Sequence, residues 1–271
     1  MFAWTNKFSK ALRRCLFIAV LGFSIVGATR SALAAPETPL QARLHHDQAK
    51  VRAISRSVVK LMLKVDDHMA YVGTGVYVEN NGKMFLLTAA HVISVEGQLP
   101  ENLGDKLLFR AFNADPDDAS EWHSIGQYAA TVKRVPGADF AAFELTKAID
   151  GLVPAKIAAL PAVAGDRVIA FGFAASDGHM LSGAVTGEDA VNGDFVALKI
   201  GADHGDSGGP VFDARTGMLI GLISSSADPS MTEKFSVRHG DSGDNESTWE
   251  RDANAMGADT LAVHLPALLS N

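Results

Sequence analysis

The sequence predicts an all-β protein, on three observations. From Ile54 onward, short runs rich in β-branched and aromatic residues alternate with turn signals. Glycine is abundant, 25 residues, while aromatics make up only 7%, which suits many tight turns. Few segments show helical spacing, and no heptad or fixed-period repeat is present. Many short strands with few helices indicate a sandwich or a barrel.

Residues 1–34 are of a different kind. Lys7, Lys10, Arg13 and Arg14 precede an apolar-and-small run from Cys15 to Ala28, with no acidic residue before Glu37. Ala32-Leu33-Ala34 then puts small residues where a signal peptidase reads them. The run is 14 residues long, shorter than the roughly 20 that cross a bilayer as a helix. The pattern predicts a cleaved signal peptide over 1–34 rather than a retained anchor or buried helix. A periplasmic or secreted protein without a stable membrane anchor follows. Leu12 stands beside Arg13-Arg14 where a twin-arginine signal usually has Ser or Thr, so ordinary Sec export is expected.

Removal of that segment shifts the charge. Its five basic residues, the four above and Arg30, leave 19 of the 24 against 31 acidic, a net charge near −12. Nucleic acid and anionic lipid are therefore poor partners. Cys15 is the sole cysteine and departs with the signal, so core packing alone holds the fold and cysteine catalysis is excluded.

The elements follow in order. Residues 35–53 are polar, with Leu40, Leu44 and Val51 on a loosely helical spacing, a short helix or an arm. Ile54–Val65 and Met69–Val78 read as strands, and Asn80-Asn81-Gly82-Lys83 is a strong hairpin signal. Met84–Leu87 resumes the strand and ends in Thr88-Ala89-Ala90-His91-Val92. Lys106–Phe112, Ala129–Val135 and Phe140–Leu145 come next, then a connector near Asp150–Pro154. Beyond it lie Arg167–Phe173, His179–Thr186, Asp194–Lys199, Pro210–Phe212, Met218–Ser224 and Leu261–Leu265. Pro266–Leu269 reads as a terminal helical turn, and residues 227–258 as a long polar surface loop.

Three segments carry chemistry. Gly205-Asp206-Ser207-Gly208-Gly209-Pro210 leads into the apolar pair Val211-Phe212. A serine hydroxyl attacks only when exposed, close to a base and faced by oxyanion donors. Flanking glycines let the backbone turn tightly, and the Gly205 and Ser207 amides are the expected donors. An ordinary glycine turn is the alternative. His239-Gly240-Asp241-Ser242-Gly243 repeats the same five letters but runs into Asp244-Asn245-Glu246, so Ser242 lacks the buried strand that anchors Ser207. The second segment, Phe85–Val92, ends a strand at His91 beside two alanines that leave a substrate room. Of nine histidines, only this one has such a setting; a structural histidine is the alternative. The third, Gly137–Phe143, places the lone acid Asp139 in an apolar stretch, where a buried charge needs a partner such as a histidine N–H. A strand-start cap is the alternative there.

Together these segments resemble the trypsin-like, or chymotrypsin-like, serine peptidases, specifically the bacterial disulfide-free type. GTGVYV with LLTAAHV, ADFAAFEL, and HGDSGGPVF with GLISSS carry the likeness, over residues 54–270. The order His, Asp, Ser is that of this family and not of subtilisins or α/β-hydrolases. The resemblance implies two six-stranded antiparallel β-barrels with the cleft between them: residues 54–150 carrying His91 and Asp139, residues 151–271 carrying Ser207. It implies a serine endopeptidase working through an acyl-enzyme, with His91, Asp139 and Ser207 as catalytic residues. Polypeptide substrates would bind as an extended strand, with Ser224 on the strand that pairs with them. A silent binding protein of the same fold, or an esterase, are the competing functions.

Departures from the family pattern are specific. No Ile-Val-Gly-Gly-like segment supplies an amine for Asp206, so activation of the animal zymogen type is not expected. Gly201 stands six residues before Ser207, where trypsins carry a pocket-floor aspartate, so a preference for Arg or Lys is not expected. Asp241–Glu246 fits no EF-hand spacing; no metal and no cofactor is expected.

Overall fold

A two-residue hairpin sets the first sheet. Asn81 and Gly82 have φ of 51° and 74°, the left-handed pair that matches the twist of the flanking strands. Asn80 pairs with Lys83 across this turn. The structure, a computed structural model, describes residues 39–66, 69–134, 138–174, 178–188, 195–226 and 260–265.

Seven antiparallel strands form the first sheet: β1 (Val58–Lys64), β2 (Ala70–Asn80), β3 (Lys83–Thr88), β4 (Leu107–Ala111), β5 (His123–Ser124), β6 (Ala129–Arg134) and β7 (Ala141–Leu145). They lie in the order β5-β4-β1-β2-β3-β7-β6. The edge strands β5 and β6 are consecutive in the chain, joined through a 3-10 turn at Ile125–Gln127. Neighbours in sequence at opposite edges require the sheet to curl, and it forms a half-barrel. The expected six-stranded first barrel is thus seven-stranded, and among the described residues no ladder joins its edges. The two-residue β5 is the extra strand, held on β4 by the Leu108–Ser124 and Phe109–His123 pairs. The second unit is a closed six-stranded barrel, in the order β10-β13-β12-β11-β8-β9. Its strands are β8 (Arg167–Gly172), β9 (His179–Glu188), β10 (Phe195–Lys199), β11 (Pro210–Asp213), β12 (Leu219–Ser226) and β13 (Thr260–His264).

Side-chain alternation sorts the apolar residues into three cores. One fills the first sheet around Leu61, Tyr77, Leu86, Phe109 and Phe143. One fills the closed barrel around Val168, Leu198, Val211 and Ile223. The third lies between them and draws Val76, Val78, Leu87 and Phe140 from the first unit and Phe171, Phe212, Leu222 and Val263 from the second. Phe171 and Phe212 are almost fully buried, and burying each side chain is worth about 2–3 kcal/mol. This shared core fixes the two units against each other, and so fixes any site made across them.

Helix α1 (Pro39–Ser55) precedes the first strand. It runs through Ile54, so β1 begins at Val58 and not at Ile54. The reason is tertiary: Val51 and Ile54 pack against the shared core, and Lys50 Nζ donates to the Ala214 and Arg215 carbonyls of the second barrel. Among the described residues no helix is long and apolar enough to cross a membrane. The expected loop 227–258, with Ser242, and the turn Pro266–Leu269 lie outside the described residues.

Candidate active site between the two β units

Topology alone brings His91 to Asp139. Strands β3 and β7 are antiparallel neighbours, and Thr88 at the end of β3 pairs with Ala141 at the start of β7. His91 lies three residues past Thr88 and Asp139 two before Ala141, so both leave the sheet at the same end. His91 sits in the 3-10 turn Ala90–Ile93, which buries Val92 and Ile93 and turns the imidazole outward, half exposed. Gly73 makes room for that anchor, because a Cβ there would press into the Val92 side chain.

The Asp139 carboxylate is spent on three donors. Oδ1 accepts from the His91 backbone N–H at 2.9 Å, and Oδ2 lies 2.7 Å from His91 Nδ1. Ser224 Oγ, reaching across from the second barrel, donates to the same Oδ2 at 2.7 Å. No described bond goes to the start of Asp139's own strand, as a cap would require. Ser224 reaches it because β12 shifts register on β13 between Ile223 and Ser225. The bulge residue leaves the ladder and re-aims its side chain. The sequence pointed to Ser224 for its strand, not for this bond; a hydroxyl following Leu222-Ile223 in an apolar strand was the available signal.

These contacts set the charge preferences. Burial is the largest influence on Asp139 and pushes its carboxyl up, but the hydrogen bonds and charge of His91, with the Ser224 bond, outweigh it and hold it below the ordinary range. Burial is also the largest influence on His91 and pushes it down, yet the bond to Asp139 and its charge raise it above the ordinary histidine value. With Nδ1–H engaged by the carboxylate, Nε2 is the nitrogen left for a reacting group.

Ser207 comes from the other unit, in the turn before β11, and is partly exposed. Its loop is docked on the first sheet. Thr74 N–H donates to the Ser207 carbonyl at 2.8 Å, Thr74 Oγ1 to the Gly205 carbonyl at 2.8 Å, and Thr88 Oγ1 to the Thr74 carbonyl at 2.7 Å. Thr74 and Thr88 are fully buried. The Thr74 hydroxyl links the two units and the Thr88 hydroxyl braces Thr74 within the first sheet; no motif in the apolar GTG and LLT segments marks either role. Gly208, at φ 78°, lies against Ala89 and Thr88, two and three residues before His91. A Cβ on Gly208 would run into the Thr74 carbonyl and the Thr88 hydroxyl.

The loop's amides alternate in use. His204 N–H goes to Asp203 Oδ1, and those of Asp206, Gly208 and Gly209 go to the Asp203, Ile223 and Asp206 carbonyls. Among the described residues, the Gly205 and Ser207 amides donate to nothing in the chain. Two neighbouring amides left open, with their own carbonyls tied down behind them, form a cradle for a negatively charged oxygen. Ser207 Oγ makes no hydrogen bond among the described residues, so the structure joins His91 to Asp139 directly and brings Ser207 alongside through its loop. Gly201, past the end of β10, is an exposed turn residue at φ 69° with open space where a Cβ would lie. No cluster able to hold a metal occurs among the described residues.

The model of the trypsin-like peptidase domain family matches residues 73–222, more than half of the 271 residues. No curated protein matches the chain. Among solved structures, an HtrA-type protease, AlgW in a serine-to-alanine form with a tripeptide, is 18% identical at a TM-score of 0.53. That match covers 83% of this chain and 61% of AlgW, so this chain spans about three fifths of its length. The inactive form of Rv3671c from M. tuberculosis H37Rv is 18% identical, TM-score 0.49, over 79% of this chain and 84% of that one. A serine endoprotease from Yersinia pestis is 21% identical, TM-score 0.48, over 66% and 57%. At such identities the AlgW likeness is one of fold, and the family assignment rests on the domain match, which takes in His91, Asp139 and Ser207. The chain belongs to the trypsin-like peptidase domain family and is a serine endopeptidase.

Proposed function

We propose that this peptidase cleaves polypeptides through Ser207, His91 and Asp139, and that it works outside the cytoplasm after loss of residues 1–34. Ser207 Oγ attacks the scissile carbonyl as His91 Nε2 takes its proton. The tetrahedral oxyanion settles between the Gly205 and Ser207 amides, and collapse to the acyl-enzyme passes the proton to the leaving amine. Water repeats the sequence and releases the acid. Asp139 keeps His91 in the Nδ1–H tautomer and stabilises its cation. A substrate lying as an extended strand along β12 would present its carbonyl to this point, with Gly201 near the side chain before the cut.

One observation carries the reading: in the run from His204 to Gly209, the two amides without an acceptor among the described residues are that of Ser207 itself and that of Gly205, two residues before it. A casein digest and a fluorophosphonate probe, applied to the protein and to Ser207→Ala, test it. Cleavage and labelling that both vanish in Ser207→Ala are expected. Labelling without proteolysis would indicate an esterase, and neither would indicate a binding protein. Export is tested by sequencing the N-terminus of the protein recovered from cells, expected to begin at Ala35.

A further inference from the structure

A carboxylate with no exposed surface directly precedes the proposed nucleophile. Asp206 is 0% exposed, and such a group requires donors at both oxygens. Oδ2 accepts from Asp203 N–H at 2.9 Å, and Oδ1 from Ala174 N–H at 3.1 Å. An imidazole stands at the same Oδ1, with His179 Nε2 3.3 Å away. His179 opens β9 and pairs with Gly172 of β8. Gly172 gives the carboxylate its room, since a Cβ there would overlap Oδ1. The side chain of His179 is one-third exposed, 33%, so it can be changed without opening a core.

The carboxylate has leverage on the loop. Asp206 N–H donates to the Asp203 carbonyl at 3.0 Å, and its own carbonyl accepts from Gly209 N–H at 2.7 Å. Any shift of Asp206 therefore turns the peptide unit that carries the Ser207 amide and, through the unit that joins Gly205 to Asp206, displaces Gly205 with its own amide. Backbone donors are fixed in number, whereas His179 is the side chain that reaches this carboxylate among the described contacts.

We propose that His179 is a positioning residue: it holds the Asp206 carboxylate, and through it the Gly205 and Ser207 amides, in the geometry that receives the oxyanion. The inference rests on the peptidase mechanism proposed above. His179 touches no reacting atom. Its loss should weaken the transition state and leave ground-state binding alone, which appears as a fall in kcat at constant KM.

The test measures kcat, KM, melting temperature and affinity for a peptide boronate, whose oxygen occupies the oxyanion position. The samples are the unsubstituted protein, Ser207→Ala, His179→Ala and His179→Gln. His179→Ala should lose about tenfold to a hundredfold in kcat, less than outright removal of one oxyanion donor. Boronate affinity should fall by a similar factor while KM stays within about twofold. His179→Gln, which keeps an N–H able to reach the carboxylate, should regain most of the loss. Equal losses in both variants, or a raised KM with unchanged kcat and boronate affinity, would overturn the proposal. Should His179→Ala not fold, His179→Asn, whose amide is too short, replaces it: Gln active and Asn impaired supports the proposal, equal activity overturns it. A silent unsubstituted protein, or cleavage that survives Ser207→Ala, overturns the peptidase mechanism itself and is seen in those two samples alone.

Discussion

On the first sheet the chemistry is held by side chains; on the closed barrel it is held by backbone. Asp139 takes its donors from His91 and Ser224, and each of those bonds disappears when one side-chain atom is removed or altered. The Ser207 loop instead depends on what is missing. Gly205 and Gly208 lie at φ 99° and 78°, and a Cβ on Gly205 would meet the Phe173 carbonyl oxygen at 2.6 Å. The difference teaches that the Asp139 group should fail when an atom is removed, whereas the glycine turn around Ser207 should fail when an atom is added. That contrast can be broken by experiment.

The largest expected effect is on the side-chain half. Asp139→Asn keeps the shape but presents an amide that favours the wrong histidine tautomer; turnover should fall about 10⁴-fold, the loss such a change causes in a Ser-His-Asp triad. Steady-state kinetics with unchanged melting temperature would support it. Near-normal turnover would make Asp139 a structural acid only.

On the backbone half, Gly208→Ala should abolish most activity and cost about 2 kcal/mol or more in stability, from left-handed strain and the forced contact with Thr74 and Thr88. Gly82→Ala is the control, because its φ is 74° but no atom lies within 4 Å of its Cβ. It should cost about 1 kcal/mol, from strain alone, and leave kcat intact. Denaturant titration of the two variants separates strain from contact, and equal effects would refute the claim that close docking of the loop matters.

Ser224→Ala removes one bond to a charged acceptor. A loss of about tenfold to a hundredfold in kcat is expected, since such bonds are worth about 1.5–3 kcal/mol. An unchanged kcat would confine Ser224 to substrate pairing.

The smallest effect is a displacement along the pH axis. Catalysis needs neutral His91, whose value is raised above 6.5. Activity should therefore be low at acid pH and rise with a midpoint above 6.5. In Asp139→Asn the residual activity should rise at lower pH, because burial then acts on His91 unopposed by the carboxylate. The stability contribution runs in two windows. That of His91 is present below the ordinary histidine value and lost as pH rises through its raised one. That of Asp139 is present above 3.8 and lost as pH falls through its depressed value. A midpoint unmoved in Asp139→Asn would uncouple the pair.

Much of the fold was legible because local chemistry and tertiary structure agree. Asn81-Gly82 demands a left-handed turn whatever surrounds it, and the segments on both sides are short runs rich in β-branched, aromatic and aliphatic residues. The end of α1 was not legible: Ile54 extends an apolar run that fits a strand, and only contact with the shared core makes it helical. Strand β5 has two residues and no pattern of its own. At the site, a lone acid in the stretch Gly137–Phe143 and a histidine closing a buried strand announce themselves as an unpaired charge and an exposed ring. The Ser224 bond and the Thr88–Thr74–Gly205 chain do not, since a bulge and a contact between two units decide where those hydroxyls point. The approach of His179 to Asp206 is likewise set by the pairing of β8 with β9 and by a missing Cβ at Gly172.

The central claim is that the second barrel presents one serine to a base held on the first sheet. Mass spectrometry of the fluorophosphonate-labelled, protease-digested protein tests it most directly. The adduct should be found on the peptide containing Ser207, and His91→Ala should suppress its formation. An adduct on Ser242, within the repeated His-Gly-Asp-Ser-Gly segment, or labelling that persists in Ser207→Ala, would contradict it.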